Sequence, residues 1–193
     1  MKRRTLDITF SVGGLALAGL LLVLGLVLQN QANFADSYVK HQLSQQQITF
    51  TPVDKLAPEE QKAACLVKNE GQPLTTGKQA ECYANNYIAV HLREVNDGKT
   101  YSQTSSEQRA LPDQNSPEAK ELDGKVQTLF RGETLRGLLL TSYGFSIFGD
   151  RAQTAAYVCY ILALVLFLAA IAGFVHAATK SAEQPILTEG HGN

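Results

Sequence analysis

The side chains best suited to chemistry in this chain are its histidines, and they are widely separated. His41 and His91 lie in the central part of the sequence, whereas His176 and His191 lie near its end. His91 and Glu94 would be neighbours on one face of a helix. A zinc or iron site needs further ligands, and the sequence nominates none. We therefore predict no metal site and no cofactor.

Motifs for nucleophilic catalysis and for phosphate binding are also missing. There is no GxSxG, no Walker sequence and no GxGxxG between a strand and a helix, and Gly77-Lys78 lacks a preceding phosphate loop. We predict no catalytic residues and no enzymatic activity, since an enzyme acting on lipid would need a nucleophile and a base that cannot be identified. The net charge of −1 argues against nucleic-acid binding.

Two apolar segments dominate the sequence, Ile8 to Leu28 and Ala155 to Val175, and neither contains Asp, Glu, Lys, Arg or Pro. As helices, each would measure roughly 31 Å, about the thickness of the hydrocarbon layer of a bilayer. We predict transmembrane helices over residues 8–28 and 154–177, in contact with the lipid bilayer. Residues 29–153 form a polar insert between them.

The basic residues predict the orientation of these segments. Lys2, Arg3 and Arg4 precede the first one, which favours a cytoplasmic N-terminus, residues 1–7. Two crossings of the cytoplasmic (plasma) membrane would return residues 178–193 to the cytoplasm and leave the insert extracytoplasmic. A cleaved signal peptide is the alternative, but its apolar region is shorter and ends at a small-x-small site, which is missing after Leu28.

The cysteines agree with this placement. Cys65 and Cys82 both lie in the insert, where an oxidising compartment would let them form a disulfide bond, whereas Cys159 lies in the second apolar segment. In the chain-entropy description, closing this loop stabilises the folded domain by about 3 kcal/mol. Because there is no CxxC motif, we interpret the pair as structural.

The insert has a mainly helical pattern. Phe34, Tyr38 and Leu43 predict that the first helix continues as an amphipathic stalk through Asn33 to Gln46. Ile48 to Phe50 could be a short strand, but it has no evident partner. Asp97 to Ser116 and the tail from Ser181 are polar and predicted to have little order.

Three further helices are predicted within the insert. The first runs from Pro58 to Asn69 and carries Cys65, and the second runs from Gly77 to Val95. The apolar stripe of the second helix is Ala80, Ala84, Tyr87, Ile88, His91 and Val95. Cys82 points away from this stripe, which a third helix is expected to cover. That helix begins at Ser116-Pro117-Glu118 and is predicted to end at Gly132.

The segment from Leu138 to Phe148 is apolar almost all round and rich in glycine and aromatic residues. We predict an interfacial element in the outer headgroup layer over residues 133–150. A docking surface for another membrane protein and burial in the domain's own core are the alternatives. The residues predicted to make these interfacial or partner contacts are Leu138, Leu139, Tyr143, Phe145 and Phe148.

Both apolar segments carry a stripe of small residues, which lets helix backbones approach closely in lipid. The predicted helix-packing residues are Ser11, Gly14, Ala18 and Gly25 in the first segment and Ala155, Cys159, Ala163, Ala170 and Gly173 in the second. We expect the stripes to pack on each other, with Cys159 as a small packing residue. The opposite Leu and Val faces could meet other subunits.

Three stretches carry a resemblance to a known family: RTLDITF from Arg4, GQPLTTGKQAECYANNYIAVHL from Gly71 and GETLRGLLLTSYGFS from Gly132. They resemble uncharacterised actinobacterial membrane proteins with two spans, and the likeness covers nearly the whole chain. It implies the same architecture and no established activity. Some members are labelled as aromatic ring-opening dioxygenase subunits, but no His-rich iron site supports that label for this chain.

Together these features predict an all-α membrane protein, in which two transmembrane helices flank a small, extracytoplasmic, mainly helical domain with one disulfide bond. We hypothesise a non-catalytic accessory or assembly subunit of a larger membrane complex, respiratory or cell-envelope, with other membrane proteins as partners. The alternative is an extracytoplasmic ligand or stress sensor that signals through the two helices. A deep apolar pocket would favour the sensor, and a flat outer surface the subunit.

Overall fold

The computed structural model describes residues 3–179, and its regular secondary structure is helical in that range. Two long helices, α1 (Arg3–Gln45) and α6 (Pro117–Thr179), enclose four short ones in the sequence. The short helices are α2 (Ala64–Lys68), α3 (Gly77–Tyr83), α4 (Ala89–Val95) and α5 (Tyr101–Ala110). Two single 3-10 turns (Val53–Lys55 and Glu60–Lys62) and a π-helical turn (Ala84–Ile88) complete the elements.

The chain divides into two compact units. The helix-pair unit contains residues 3–33 and 150–179 of the described range, and the central unit contains residues 34–149. The first unit consists only of parts of α1 and α6. The second unit contains all the short helices.

In the helix-pair unit, α1 and α6 run antiparallel. Asp7 contacts His176 near one end of the pair, and Gln29 contacts Gln153 near the other. Each of the two helices is long and apolar enough to cross a membrane. Only 17% of the most apolar stretch of each is buried, so most of these side chains, such as that of Phe10, are exposed.

The central unit is built around one apolar core. Val39 and Leu43 of α1 contribute to it, as do residues of α2, α3, α4 and α6. Its largest fully buried apolar side chains are Phe50, Leu66, Leu74, Leu129 and Leu139. A core of large apolar side chains is what the hydrophobic effect produces in water.

Three helices of the central unit begin at side-chain caps. Thr76 and Gln79 form a reciprocal capping box at the start of α3, and Thr100 and Gln103 form another at the start of α5. The Ser116 hydroxyl accepts a hydrogen bond from the amide of Ala119 at 3.1 Å, which confirms the predicted start of α6. Each such cap satisfies backbone amides that have no partner inside the helix.

The predicted end of the last insert helix at Gly132 is wrong, because α6 continues without a break to Thr179. A glycine inside a helix costs only about 1 kcal/mol relative to alanine. Here it also permits close packing, since a Cβ at position 132 would overlap the side chain of Leu92. Residues 133–150 are therefore part of one long helix, and their position in the headgroup layer stays a prediction.

Three other local predictions also need correction. The segment from Asp97 to Ser116 contains α5, and the helix predicted over Pro58–Asn69 is interrupted at Ala63, whose backbone is extended. Thr49 forms an isolated antiparallel bridge with Pro73, so the short extended segment does have a partner. The tail from Ser181 lies outside the described residues.

Candidate functional site

The seam between α1 and α6 in the helix-pair unit is formed by small residues. A Cβ at Gly14 would lie 3.8 Å from that of Ala170, and a Cβ at Gly173 would overlap the Ser11 hydroxyl. The buried small residues of this seam include Ser11, Ala18, Gly25, Cys159, Ala163 and Ala170. This arrangement gives the close backbone approach that small residues allow.

One predicted position differs from the structure. Ala155 is exposed, whereas Ala156 is fully buried. Neighbouring residues on a helix point 100° apart. Because positions 155 and 156 are both alanine, the pattern of small residues could not distinguish which of them faces α1. Tyr160 also belongs to the seam, because a Cβ at Gly25 would overlap its ring.

Polar contacts lie near both ends of this seam. The side-chain amides of Gln29 and Gln153 exchange two hydrogen bonds, at 2.6 and 2.7 Å. Asp7 Oδ2 lies 2.9 Å from His176 Nδ1. Sequence reasoning missed both pairs, although antiparallel packing of two segments that these residues flank would bring them together.

An apolar groove in the central unit could receive a partner or a ligand. It lies between the last turns of α1 and the middle of α6, with a volume of about 380 Å³. Val39, Leu43 and Leu139 are buried along it, and Leu138 is 62% exposed. The lining also includes Tyr38, Gln42, Gln46, Leu135, Thr141, Ser142 and Phe145.

The five residues predicted to make interfacial or partner contacts lie in different surroundings. Leu138, Leu139 and Phe145 line the apolar groove, where the rings of Phe145 and Tyr38 meet edge to face at 5.8 Å. The backbone of Tyr143 approaches Gly77 at the start of α3. Phe148 is 75% exposed and does not line the groove.

The predicted disulfide bond between Cys65 and Cys82 is confirmed. It joins α2 to α3, with Cα atoms 6.1 Å apart, and Cys82 is buried in the core. The amide nitrogen of Asn86 donates to the carbonyl of Cys82 at 3.1 Å. Within the described residues, Cys159 is the free cysteine, and it is buried.

The predicted apolar stripe of the second insert helix is buried only in part, because Ala80, Ala84 and Ile88 are buried whereas His91 is exposed. Tyr83, Tyr87 and His91 form a ladder of rings with centroids 4.7 and 4.5 Å apart, and Phe50 packs on Tyr83. The helix α6 contacts this helix at Asn85, which accepts from Arg136, and at Leu92, which packs on Gly132. The π-helical turn Ala84–Ile88 changes the helical register between the two ends of the stripe.

A buried carboxylate, Glu60, lies beside this ladder and was not predicted. Its side chain is 2% exposed, and its Oε2 accepts from the amide of Ala57 at 2.8 Å. Its Oε1 lies 3.1 Å from His91 Nδ1 without a well-aligned hydrogen bond. His91 Nδ1 also lies 3.0 Å from the carbonyl oxygen of Tyr87. Because a carbonyl only accepts, Nδ1 carries a proton in this arrangement.

The same burial affects a neighbouring phenol. Burial, together with the smaller effects of the nearby Tyr87 and Glu60, raises the pKa of Tyr83 from 10.0 to about 12. Among residues 3–179, no group of three His, Cys, Asp or Glu side chains is arranged to hold a metal ion.

No family model, curated protein or solved structure matches this chain at a significant level.

Proposed function

We propose that the chain is a two-pass protein of the cytoplasmic membrane, with both termini in the cytoplasm and the central unit outside. The proposal is supported by the exposed apolar side chains of the helix-pair unit, which lipid would cover. It is also supported by the disulfide bond in the central unit, since such bonds persist in oxidising compartments. The basic residues before the first apolar segment favour this orientation.

We further propose that the protein is a non-catalytic accessory or assembly subunit of a larger membrane complex, respiratory or cell-envelope. The observation that carries this proposal is the apolar groove, which is open to solvent and bordered by the exposed side chains of Leu138 and Phe145. An open groove between two helices suits one apolar face of a partner helix, anchored at helical spacing.

Site-specific crosslinking tests this function. A photoreactive amino acid replaces Leu138 in the groove or, as a control, Lys120, which is exposed on α6 outside the groove. We expect crosslinks from position 138 to one membrane protein that also co-purifies in fixed stoichiometry in mild detergent. Equal crosslinking from both positions, or a clean monomer at every detergent concentration, would contradict the proposal.

The second candidate is an extracytoplasmic ligand or stress sensor, and the groove also favours it. A volume of about 380 Å³ lies in the usual range of small-ligand sites. The groove is neither the flat surface expected of a subunit nor a closed pocket. Native mass spectrometry of the purified protein distinguishes the two functions, because a sensor would carry one apolar small molecule that Leu138→Glu removes.

A further inference from the structure

A second, polar pocket lies in the central unit, and it shares no lining residue with the apolar groove. Its volume is about 290 Å³, and the turn after α4, the start of α5 and the middle of α6 surround it. Leu92 and Leu129 are buried in its wall. Three cations, Arg93, Lys99 and Arg136, also line it, and we call it the basic pocket.

Arg136 differs from the other two cations because one of its donors is buried without a partner. Its Nη1 donates to Glu133 Oε2 and its Nη2 donates to Asn85 Oδ1, both at 3.2 Å. Its Nε is buried and has no hydrogen bond in the described structure. A buried donor that lacks an acceptor is costly, and for a charged group the cost is larger still.

A bound oxyanion would supply the missing acceptor. The Nε and Nη2 atoms of a guanidinium form a planar fork that matches the two oxygens of a carboxylate or phosphate. Each of the three cations already faces a carboxylate: Arg93 faces Glu59, Lys99 faces Glu107, and Arg136 faces Glu133. These ion pairs are at least partly exposed, so each contributes little and can be exchanged for a ligand.

We propose that the basic pocket binds the carboxylate or phosphate group of a small amphiphilic molecule. Arg136 receives the charged group through its Nε once the ligand has displaced the carboxylate of Glu133. The apolar part of the ligand packs against Leu92 and Leu129. Glu133 competes with the ligand for the same guanidinium. Ligand binding in the basic pocket is independent of the function proposed for the apolar groove.

Calorimetric titration of the full chain in a neutral detergent tests the proposal, with inorganic phosphate, octyl phosphate and octanoate as probes. We expect Arg136→Gln to weaken binding at least tenfold and Arg136→Lys to weaken it severalfold, because lysine lacks the fork. Glu133→Gln should instead strengthen binding severalfold, since it removes the competing carboxylate. Arg131→Gln is the matched control, because Arg131 is exposed on the same helix outside the pocket.

If Arg136→Gln fails to fold, Glu133→Gln still tests the proposal. Glu133 is exposed, so its substitution leaves the buried contacts of the domain in place. Tighter binding of octyl phosphate than of inorganic phosphate is expected from the apolar wall. If the protein binds phosphatidic acid in nanodiscs but does not bind free octyl phosphate, the phosphate group that the pocket recognises belongs to a lipid headgroup. The proposal is overturned if no probe binds, if Glu133→Gln has no effect, or if Arg131→Gln weakens binding as much as Arg136→Gln.

Discussion

In the helix-pair unit the buried positions hold small side chains such as Ala163 and Ala170, whereas in the central unit they hold large ones such as Phe50 and Leu129. Large apolar side chains are exposed in the helix-pair unit instead. Phe10 is 76% exposed and Ile161 is 63% exposed in the helix pair. The same two long helices thus contribute to two different kinds of packing.

The difference indicates which force holds each unit together. Burial of large apolar side chains stabilises a domain in water, where the hydrophobic effect operates. A lipid environment offers no such gain, so helices associate there through close packing of small residues and hydrogen bonds between helices. The central unit should therefore depend on its core and its disulfide bond, and the helix pair on its glycines and polar contacts.

The largest expected effect concerns the disulfide bond. Replacing Cys65 and Cys82 together by alanine should lower the free energy of unfolding of the central unit by about 3 kcal/mol, because the open chain gains conformational entropy. Chemical denaturation in detergent, followed by near-ultraviolet circular dichroism, measures this change. Cys159→Ala is the control and should cost less than about 1 kcal/mol. If Cys159→Ala lowered the free energy of unfolding as much as the double substitution, the disulfide bond would not be what stabilises the central unit.

A glycine in the seam gives the next largest effect. Gly173→Leu should destabilise the helix pair by about 1–3 kcal/mol, since a side chain there would overlap the Ser11 hydroxyl. Gly13→Leu is the matched control, because nothing lies within 4 Å of a Cβ at that position. Thermal unfolding in detergent compares the two variants. A similar loss in both would mean that close approach at the seam does not matter.

The partly buried phenol of Tyr83 predicts a response to alkaline pH. Because its pKa is raised from 10.0 to about 12 in the folded state, its contribution to stability is complete below pH 10 and is lost as the pH rises towards 12. We expect this loss to be about 1–2 kcal/mol once solvent screening is allowed for. Absorbance at 295 nm should show one phenol that titrates last, and Tyr83→Phe should remove it. Loss of an earlier titrating phenol would contradict the assignment.

The smallest effect is expected for the paired amides of the helix pair. Replacing Gln29 or Gln153 by leucine should destabilise the pairing by about 0.6–1 kcal/mol, the usual contribution of a hydrogen bond between helices in lipid. A double-mutant cycle isolates the interaction from other effects of each substitution. If the double variant loses as much stability as the two single variants together, the two amides do not interact.

Predictions from the sequence succeeded where the signal is local or periodic. The stalk that begins at Phe34 continues the first helix, Ser116 caps the last one, and Cys65 pairs with Cys82. The polar helix α5 was missed because it lacks an apolar stripe. The pattern Thr100-x-x-Gln103 before it is a capping-box signal that could have revealed its start.

The remaining differences depend on contacts that no local pattern encodes. Gly132 reads as a helix end, yet packing against Leu92 keeps it inside α6. Arg136 and Asn85 are 51 residues apart, and only the folded domain brings them together around the basic pocket. Glu60 lies in the segment predicted as a helix from Pro58 to Asn69, and its burial beside His91 arises only in the folded domain.

The most direct test of the account is the accessibility of the two paired cysteines in intact cells. After treatment with a membrane-impermeant reductant, a membrane-impermeant maleimide of high mass should add to Cys65, whose side chain is partly exposed, and without the reductant it should add to neither cysteine. This result is predicted for an oxidised central unit outside the cytoplasm. Labelling only after cell lysis, or labelling that needs no reductant, would contradict it.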